Sequence, residues 1–215
     1  MKRNIGIMGG TFNPIHNGHL LLAKNTCVKF NLDQILVMPS GHPPHKKGQD
    51  ILDVDHRCQM VRLAIQNEPN LIFSDIEIKR NGYSYTADTL TDIKDIYNRI
   101  YFIIGEDSLF NIQTWYHPEI TMKLATLVVA KRDDHLSNEF YDQIKYLKDT
   151  YNAEIEVLPN FDYPISSSQI RLNVSNGISI KEMVPNAVED YILDNKLYLN
   201  EWDMVEYAFR MKDTI

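Results

Sequence analysis

The feature that most constrains the fold is a series of short apolar runs separated by longer segments with helical periodicity. A run whose residues are nearly all apolar, without polar alternation, is typical of a strand buried on both faces. Such strands occur in parallel sheets, because crossover helices cover both faces. The predicted strands are Ile5 to Met8, Ile35 to Met38, Leu71 to Phe73, Tyr101 to Ile104, Leu127 to Ala130 and Ile155 to Leu158.

The segments between these runs favour helices, since their apolar residues recur at spacings of three and four. The predicted helices are Leu20 to Phe30, Asp55 to Gln66, Thr86 to Tyr97 and a segment containing Phe140, Ile144 and Leu147. This alternation predicts an α/β fold, a mostly parallel sheet with helices on both faces. We expect one domain over residues 1–215, with a helical C-terminal part from about residue 165.

Two signals mark helices in that C-terminal part. The segment SIKE, Ser179 to Glu182, fits a capping box, in which a serine side chain and a glutamate side chain satisfy the first N–H groups of a helix. Pro185 is a suitable first residue for a helix over Val188 to Leu193.

The charge balance limits the partners that the chain can bind. Its net charge of −7 gives no overall attraction to nucleic acid or to an anionic membrane. No apolar run approaches the roughly 20 residues that span a bilayer, and the N-terminal residues lack the apolar core of a signal peptide. Cys27 and Cys58 have no Cys-x-x-Cys spacing and are expected to be reduced core residues. We therefore expect a cytoplasmic protein that binds anions through a local cluster of donors.

The segment MGGTFNPIHNGH, Met8 to His19, joins the first predicted strand to the first predicted helix. In an open parallel sheet, the turn at this position commonly contacts a phosphate group. Gly9 and Gly10 carry no Cβ atom that would keep a nucleotide away from the backbone. The segment therefore predicts a phosphate-binding turn.

The end of the same segment predicts donors for that phosphate. Asn17 is the expected N-cap, which places Gly18 and His19 in the first helical turn, where free N–H groups favour an anion. His16 and His19 would flank the anion and donate hydrogen bonds to its oxygens. These bonds strengthen as negative charge grows on the bridging oxygen during bond breaking.

Metal binding is an alternative use of these histidines, since His16, His19, His42 and His45 lie close together in the sequence. However, no cysteine or carboxylate joins either pair at ligand spacing, and His42-Pro-Pro-His45 cannot be helical. We predict no metal-binding residues, and a zinc-binding structural protein stays the alternative. The turn also differs from the G-x-G-x-x-G motif of dehydrogenases, because Phe12 and Asn13 stand where the last glycine should lie.

A second phosphate-binding segment is predicted at ISSSQIR, Ile165 to Arg171. Its three serines are strong N-cap candidates, so the segment would begin a helix whose N–H groups face an anion. Arg171 lies four residues after Ser167, a spacing that lets its guanidinium point back toward the same phosphates. The alternative is a serine cap followed by a surface arginine.

These two segments resemble the signatures of the nucleotidyltransferase superfamily. GGTFNPIHNGH is similar to G-G-x-F-x-P-x-H-x-G-H, and ISSSQIR to I-S-S-T-x-I-R, with Ser168 in place of the usual threonine. The resemblance implies a Rossmann-like nucleotidyltransferase fold with His16, His19 and Arg171 as catalytic residues. It also implies that ATP is bound by Gly9, Gly10, Thr11, Phe12, Gly18, Gly105, Asp107, Ile165, Ser167 and Ser168.

Further segments resemble the bacterial nicotinate mononucleotide adenylyltransferases: PSGHPPHKK, NGYSYTADTL, FIIGEDSL and TWYHP. The resemblance extends from Ile5 to about Tyr198. It implies that the mononucleotide is bound by His45, Lys46, Tyr85, Thr86, Trp115 and Tyr116. The residue types fit this ligand, because tryptophan offers a stacking face for the pyridine ring, and the threonine and nearby N–H groups offer donors for its carboxylate.

The expected reaction is adenylyl transfer from ATP to nicotinate mononucleotide, which yields nicotinate adenine dinucleotide and pyrophosphate in NAD biosynthesis. No residue is an obvious covalent nucleophile, so the mononucleotide phosphate would attack the α-phosphorus directly. Mg²⁺ is expected mainly on the ATP phosphates, because the sequence shows no tight carboxylate cluster. Asp107 is expected to orient the ribose or adenine rather than a metal.

The expected partners are therefore ATP and nicotinate mononucleotide, without nucleic acid or membrane. Apolar residues in the tail from Tyr198 to Phe209 suggest a contact that would form a homodimer. Two alternatives remain: a nucleotide-binding regulator without turnover, and a pantetheine-phosphate adenylyltransferase, which the SYTADTL and PPHK segments disfavour.

Overall fold

The structure, a computed structural model, describes residues 2–41, 51–130, 138–158 and 164–199. The strands in these ranges form one parallel sheet in the order β3-β2-β1-β4-β5-β6. They are β1 (Asn4–Gly10), β2 (Gln34–Pro39), β3 (Leu71–Phe73), β4 (Arg99–Gly105), β5 (Thr126–Ala130) and β6 (Ile155–Leu158). Each predicted strand lies within one of these, so the prediction of a parallel sheet is confirmed.

Helices fill the connections between the strands. In the described ranges they are α1 (Asn17–Lys29), α2 (Val54–Ile65), α3 (Ile76–Lys79), α4 (Thr86–Ile93), α5 (Glu106–Asn111), a 3-10 helix (Ile112–Thr114), α6 (Pro118–Leu124), α7 (Asn138–Tyr151), α8 (Ser167–Ser175) and α9 (Asn186–Asp194). The predicted end of α4 at Tyr97 is wrong. The helix ends at Ile93, its last buried apolar residue, because Ile96 is 59% exposed and gives no further contact with the core.

The capping box predicted at Ser179 to Glu182 is also wrong. Residues 181–183 form a turn, in which the Ser179 hydroxyl accepts a hydrogen bond from the Lys181 N–H. The carbonyls of this turn bind another element: Asn17 donates its backbone N–H to Met183 and its side-chain amide to Glu182. The next helix, α9, begins at Asn186 with Pro185 as its N-cap, one residue later than predicted.

The sheet separates two apolar clusters, because alternate residues of each buried strand point to opposite faces. On one face Met8, Val37 and Ile103 pack with residues of α1, α2, α8 and α9. On the other face Ile7 and Phe102 pack with residues of α4, α5, α6 and α7. Helices therefore cover both faces, as the unbroken apolar runs predict. Within the described residues, we find no helix with the length and apolar character needed to cross a membrane.

The strand order reverses direction between β1 and β4. The connection from β1 leads to β2 on one side and the connection from β4 leads to β5 on the other, so a crevice opens beyond the carboxyl ends of β1 and β4. Gly10 at the end of β1 lies beside Pro39 at the end of β2, and Gly105 ends β4. The fold therefore brings the two glycine-containing turns predicted from the sequence to one edge of the sheet.

Candidate active site

The loop between β1 and α1, residues 11–16, is packed into the protein rather than exposed. Phe12, Asn13 and Ile15 are at most 5% exposed. Phe12 adopts a left-handed backbone with φ of 49°, which turns the chain sharply after the two glycines. The prediction of Asn17 as N-cap is wrong by one residue: His16 has the extended cap conformation, and Asn17 is the first helical residue.

His16 and His19 lie together at this helix start. Their ring centroids are 3.7 Å apart, with the ring planes inclined at 31°. The His16 backbone N–H donates to Nδ1 of His19 over 3.3 Å, and the Phe12 ring packs edge-on against His19 at 5.1 Å. Because Nδ1 accepts a hydrogen bond, the proton of a neutral His19 ring lies on Nε2. His19 is therefore arranged to donate from Nε2.

The second predicted motif is attached directly to this loop. Ser166 caps α8 by accepting a hydrogen bond from the Gln169 N–H, as predicted. The Ser167 hydroxyl donates to the Pro14 carbonyl over 2.8 Å, and Arg171 Nη1 donates to the Asn13 carbonyl over 2.9 Å. The start of α8 and the start of α1 therefore share one loop, as a common phosphate site requires.

The far end of the described chain also holds this loop. Asn13 Oδ1 accepts hydrogen bonds from the Tyr198 hydroxyl, over 3.1 Å, and from the Leu52 N–H, over 3.4 Å. Burial raises the pKa of Tyr198 far above its ordinary range, so its hydroxyl keeps the proton that it donates. The Asn13 side chain and main chain thus bind residues from three different parts of the sequence.

A cavity of about 300 Å³ opens beside the loop at the carboxyl edge of the sheet. This volume lies at the lower end of the range for small-molecule sites. The cavity brings together eight of the predicted binding residues, from both predicted substrate sites. They are Gly9, Gly10, Thr11, Gly105, Tyr85, Thr86, Trp115 and Tyr116. The fold thus brings predicted binding residues from four separate segments of the sequence to one cavity.

Aromatic rings form one wall of this cavity. Trp115 is half-buried and packs edge-on against Phe102, with ring centroids 6.2 Å apart. Tyr85 and Tyr116 stack on each other at 4.4 Å, so part of their area is used within the protein. Trp115 is therefore the ring of this wall that is best placed to stack on a planar ligand.

The start of α4 forms another part of the wall. Tyr85 is its N-cap and Thr86 its first residue, and both line the cavity. The first N–H groups of a helix lack helical acceptors, so this end favours a carboxylate. Glu77 also lines the cavity; it is 9% exposed and accepts a hydrogen bond from the Thr89 hydroxyl. Burial raises the pKa of Glu77 despite that bond, because desolvation disfavours its charged form.

Other predicted residues lie apart from this cavity. Asp107 is exposed in the first turn of α5, and Ser108 lines the cavity instead. Gly18 is buried within α1, and Ile165 packs against the first apolar cluster. His45 and Lys46 lie outside the described residues, as does His42. Ser167, Ser168 and Arg171 contact the loop or each other rather than the cavity.

In the described ranges, no group of three or more His, Cys, Asp or Glu side chains is arranged to hold a metal ion. The zinc alternative requires four histidines, of which His16 and His19 lie in the described part of the chain. The two rings stack at 3.7 Å with a tilt of 31°, an arrangement that suits two donors on one anion better than two ligands of one metal, whose lone pairs must converge.

Sequence reasoning missed two polar residues near the site, Arg57 and Glu77. Arg57 is 2% exposed and bonded to the carbonyls of Thr11 and Ser40, which line the cavity. Neither residue belongs to a phosphate-binding pattern. Arg57 lies in an amphipathic segment where an arginine is usually solvated, and nothing in the local sequence distinguishes a buried one.

The comparisons with known proteins identify the family. The sequence profile of the cytidylyltransferase-like family matches residues 7–173. A "Probable nicotinate-nucleotide adenylyltransferase" of Lachnoclostridium phytofermentans is 41% identical, over 92% of this chain and 100% of that protein. A protein of the same name from Carboxydothermus hydrogenoformans is 39% identical, over 90% and 97%. The chain belongs to the nicotinate-nucleotide adenylyltransferase family.

Solved structures share the fold. Plasmodium falciparum nicotinic acid mononucleotide adenylyltransferase complexed with NaAD has a TM-score of 0.73 to this chain, at 21% identity. The same enzyme complexed with APC has a TM-score of 0.71. Each comparison covers 91% of this chain and 97% of the other. At this identity the likeness shows that this chain has the same Rossmann-like fold.

Proposed function

We propose that this chain transfers the adenylyl group of ATP to nicotinate mononucleotide, yielding nicotinate adenine dinucleotide and pyrophosphate in NAD biosynthesis. Family membership supports the reaction. The structural observation that carries the proposal is the bond from Arg171 to the Asn13 carbonyl, because it joins the α8 motif to the loop that ends at His16 and His19. Donors from both motifs then surround one triphosphate.

The reaction is a direct displacement at phosphorus. A phosphate oxygen of the mononucleotide forms a bond to the α-phosphorus of ATP, and the bond from that phosphorus to the bridging oxygen breaks. Pyrophosphate leaves with the electron pair. Since no covalent intermediate is needed, the protein accelerates the step by positioning both reactants and stabilising the charge on the leaving oxygen.

His19 is the best candidate for the donor to that oxygen. Its Nδ1 is occupied by the His16 N–H, so its Nε2–H is directed elsewhere with a fixed tautomer. His16 stacks beside it and is 7% exposed, which keeps the His19 ring in place. Arg171 uses Nη1 and Nη2 within the protein, yet a guanidinium has five N–H donors, and the remaining ones serve the phosphates.

The pyridine ring would occupy the cavity against Trp115. The first turn of α4 at Thr86 lies in the same wall, where the positive end of the helix dipole attracts the nicotinate carboxylate. A neutral nicotinamide gains less from this end. The interaction of a carboxylate with a helix N-terminus is worth about 0.3–1 kcal/mol, and up to about 2 kcal/mol when the carboxylate is partly buried. This energy favours nicotinate over nicotinamide mononucleotide.

ATP would enter as its Mg²⁺ complex, with the metal held mainly by the phosphates and water. The described residues supply cationic and N–H donors at the loop rather than a carboxylate cluster. This donor set suits a metal that arrives with its phosphates. We further propose a cytoplasmic location, where ATP is abundant, and keep the homodimer as a prediction, since residues 200–209 of the tail that suggests it lie outside the described residues.

A side-by-side turnover assay tests the function. The purified protein is incubated with MgATP and, separately, nicotinate mononucleotide, nicotinamide mononucleotide or pantetheine phosphate, while pyrophosphate release and the dinucleotide product are measured. We expect fastest turnover with nicotinate mononucleotide. Binding of ATP without pyrophosphate release from any acceptor would instead identify a nucleotide-binding regulator, and faster turnover with pantetheine phosphate would overturn the substrate assignment.

A further inference from the structure

Arg57 is a buried arginine in α2 whose side chain binds main-chain carbonyls. Only 2% of the residue is exposed. Its Nε donates to the Leu52 carbonyl over 3.1 Å, and its Nη1 donates to the Thr11 carbonyl over 2.8 Å and the Ser40 carbonyl over 2.9 Å. Its Nη2 contacts the Gly41 carbonyl at 3.4 Å. One guanidinium thus connects three separate stretches of backbone.

Two of these stretches are the strand ends that form the site. Thr11 follows β1 and Ser40 follows β2, and both residues line the cavity. The two strands are neighbours in the sheet, and the Ser40 N–H donates to the Gly10 carbonyl. Arg57 therefore fixes both turns relative to each other from the side of α2.

The contacts also orient the peptide groups. In a trans peptide the carbonyl of one residue and the N–H of the next point in opposite directions. The Ser40 carbonyl points to Arg57, and the Gly41 N–H on the other side donates to the Ser84 hydroxyl over 3.2 Å. Ser84 lines the cavity. The Thr11 and Ser40 carbonyls thus face the guanidinium, and the N–H side of the Ser40–Gly41 peptide faces Ser84 in the cavity wall. This orientation favours an anion, because a carbonyl oxygen turned toward the cavity would repel it.

The charge of Arg57 is incompletely balanced. Burial lowers the pKa of Arg57, with nearby Asp53 opposing the effect, but a guanidinium still keeps its proton at neutral pH. Among the salt bridges formed within the described residues, none includes Arg57. A buried cation without a bonded carboxylate leaves positive potential near the turns, which an incoming anion can neutralise.

We propose that Arg57 is a positioning residue for the nucleotide phosphates. It does not touch the substrate. It holds the β1 and β2 turns with their carbonyls turned away from the cavity, and it supplies a fixed positive charge behind them. This inference rests on the proposed binding of ATP at this edge of the sheet, and it assigns to α2 a role in phosphate affinity that neither nucleotidyltransferase motif contains.

The test compares Arg57→Met and Arg57→Lys with Arg62→Met. Arg62 lies on the same helix, is exposed and packs over the Phe73 ring, so its replacement removes the same charge without opening the turns. MgATP affinity is measured by isothermal titration calorimetry, together with the rise in Tm that MgATP produces. We expect Arg57→Met to weaken MgATP affinity by about tenfold or more relative to Arg62→Met, because both turns lose their shared anchor and the positive charge behind them.

Arg57→Lys should fall between Arg57→Met and the control, because lysine keeps the charge but lacks the planar fork that reaches several carbonyls. A purely structural role would lower the Tm of the free protein and leave MgATP affinity within about threefold of Arg62→Met; that result overturns the proposal. If Arg57→Met does not fold, the MgATP affinity of Arg57→Lys is compared with that of Arg62→Met instead, and a difference within about threefold overturns the proposal.

The wild-type protein is assayed first, so that the two proposals fail in different ways. Binding of MgATP without turnover of nicotinate mononucleotide would remove the proposed reaction and still allow the affinity comparison. A wild-type protein that does not bind MgATP would overturn the assignment of Arg57 as well.

Discussion

Replacing His19 by asparagine separates its structural role from its catalytic role. The Nδ1 atom of His19 accepts a hydrogen bond from the His16 N–H at 3.3 Å. Asparagine Oδ1 is the same number of bonds from Cβ and keeps an acceptor there, but asparagine has no donor at the position of Nε2. His19→Asn therefore removes the proposed contact to the leaving oxygen and retains the bond at the helix start. His19→Ala removes both.

The magnitudes of the two effects differ. Loss of one preorganised donor to charge that develops in the transition state costs about 2.7–4 kcal/mol, or a hundred- to thousandfold in kcat. The bond from His16 is long, so its loss costs about 0.5 kcal/mol of stability, the lower end of the usual range. We therefore expect both variants to lose the same large factor in kcat, and His19→Ala alone to lose a little stability.

Steady-state kinetics and urea unfolding together test this reasoning. His19→Asn should retain its KM for ATP within about threefold, because the lost bond is stronger in the transition state than in the bound substrate. His19→Gln is the rescue variant, since its amide nitrogen reaches the position of Nε2, and it should regain part of kcat. The reasoning is refuted if His19→Asn keeps wild-type kcat, or if the KM for ATP rises as steeply as kcat falls.

Three further predictions concern the cavity. Trp115→Ala should raise the KM for nicotinate mononucleotide by about 3- to 10-fold, because one aromatic stacking contact is lost, and should leave the KM for ATP unchanged. Equal changes in both KM values would indicate a structural role. Gly10→Ala should destabilise the fold by about 1–3 kcal/mol, because the new Cβ would lie 3.0 Å from the Phe12 ring. Gly9→Ala is the control, since its Cβ would lie 3.8 Å from the nearest atom of the Phe102 ring. Thermal unfolding of the two variants tests the difference. Burial raises the pKa of Glu77, so the folded state binds its proton more tightly than the unfolded state. Relative to Glu77→Gln, wild-type stability should be highest below the ordinary carboxyl pKa and fall as pH rises through the raised value; parallel unfolding curves of the two proteins at all pH values would contradict this.

The sheet could be predicted from the sequence because its strands are buried on both faces. Val128 and Val129, for example, are both fully buried although they point to opposite faces, so the run contains no polar residue that would make its period ambiguous. Helix ends were harder to predict. The start of α1 uses His16 as its cap, which is not a favoured cap residue, and local propensity therefore pointed to Asn17.

Tertiary contacts explain the remaining errors of the sequence-based prediction. The SIKE segment fits the capping-box pattern, yet the carbonyls of Glu182 and Met183 accept hydrogen bonds from Asn17. Asn17 and Glu182 are 165 residues apart in the sequence. Arg57 was missed for the same reason, since its carbonyl partners Thr11 and Ser40 lie 46 and 17 residues from it. Motifs predict residues that line the cavity or hold the Asn13 loop, whereas the residues behind them have no sequence signature.

The attachment of the Asn13 loop has a consequence for how the protein is made. The side chains of Ser167, Arg171 and Tyr198 that bind this loop are 153 to 185 residues further along the chain. During translation every described strand, the last of which ends at Leu158, therefore leaves the ribosome before Ser167, Arg171 and Tyr198 do. We therefore expect a product truncated after Leu158 to keep every described strand but to lack the side chains that hold the Asn13 loop, and so to be inactive.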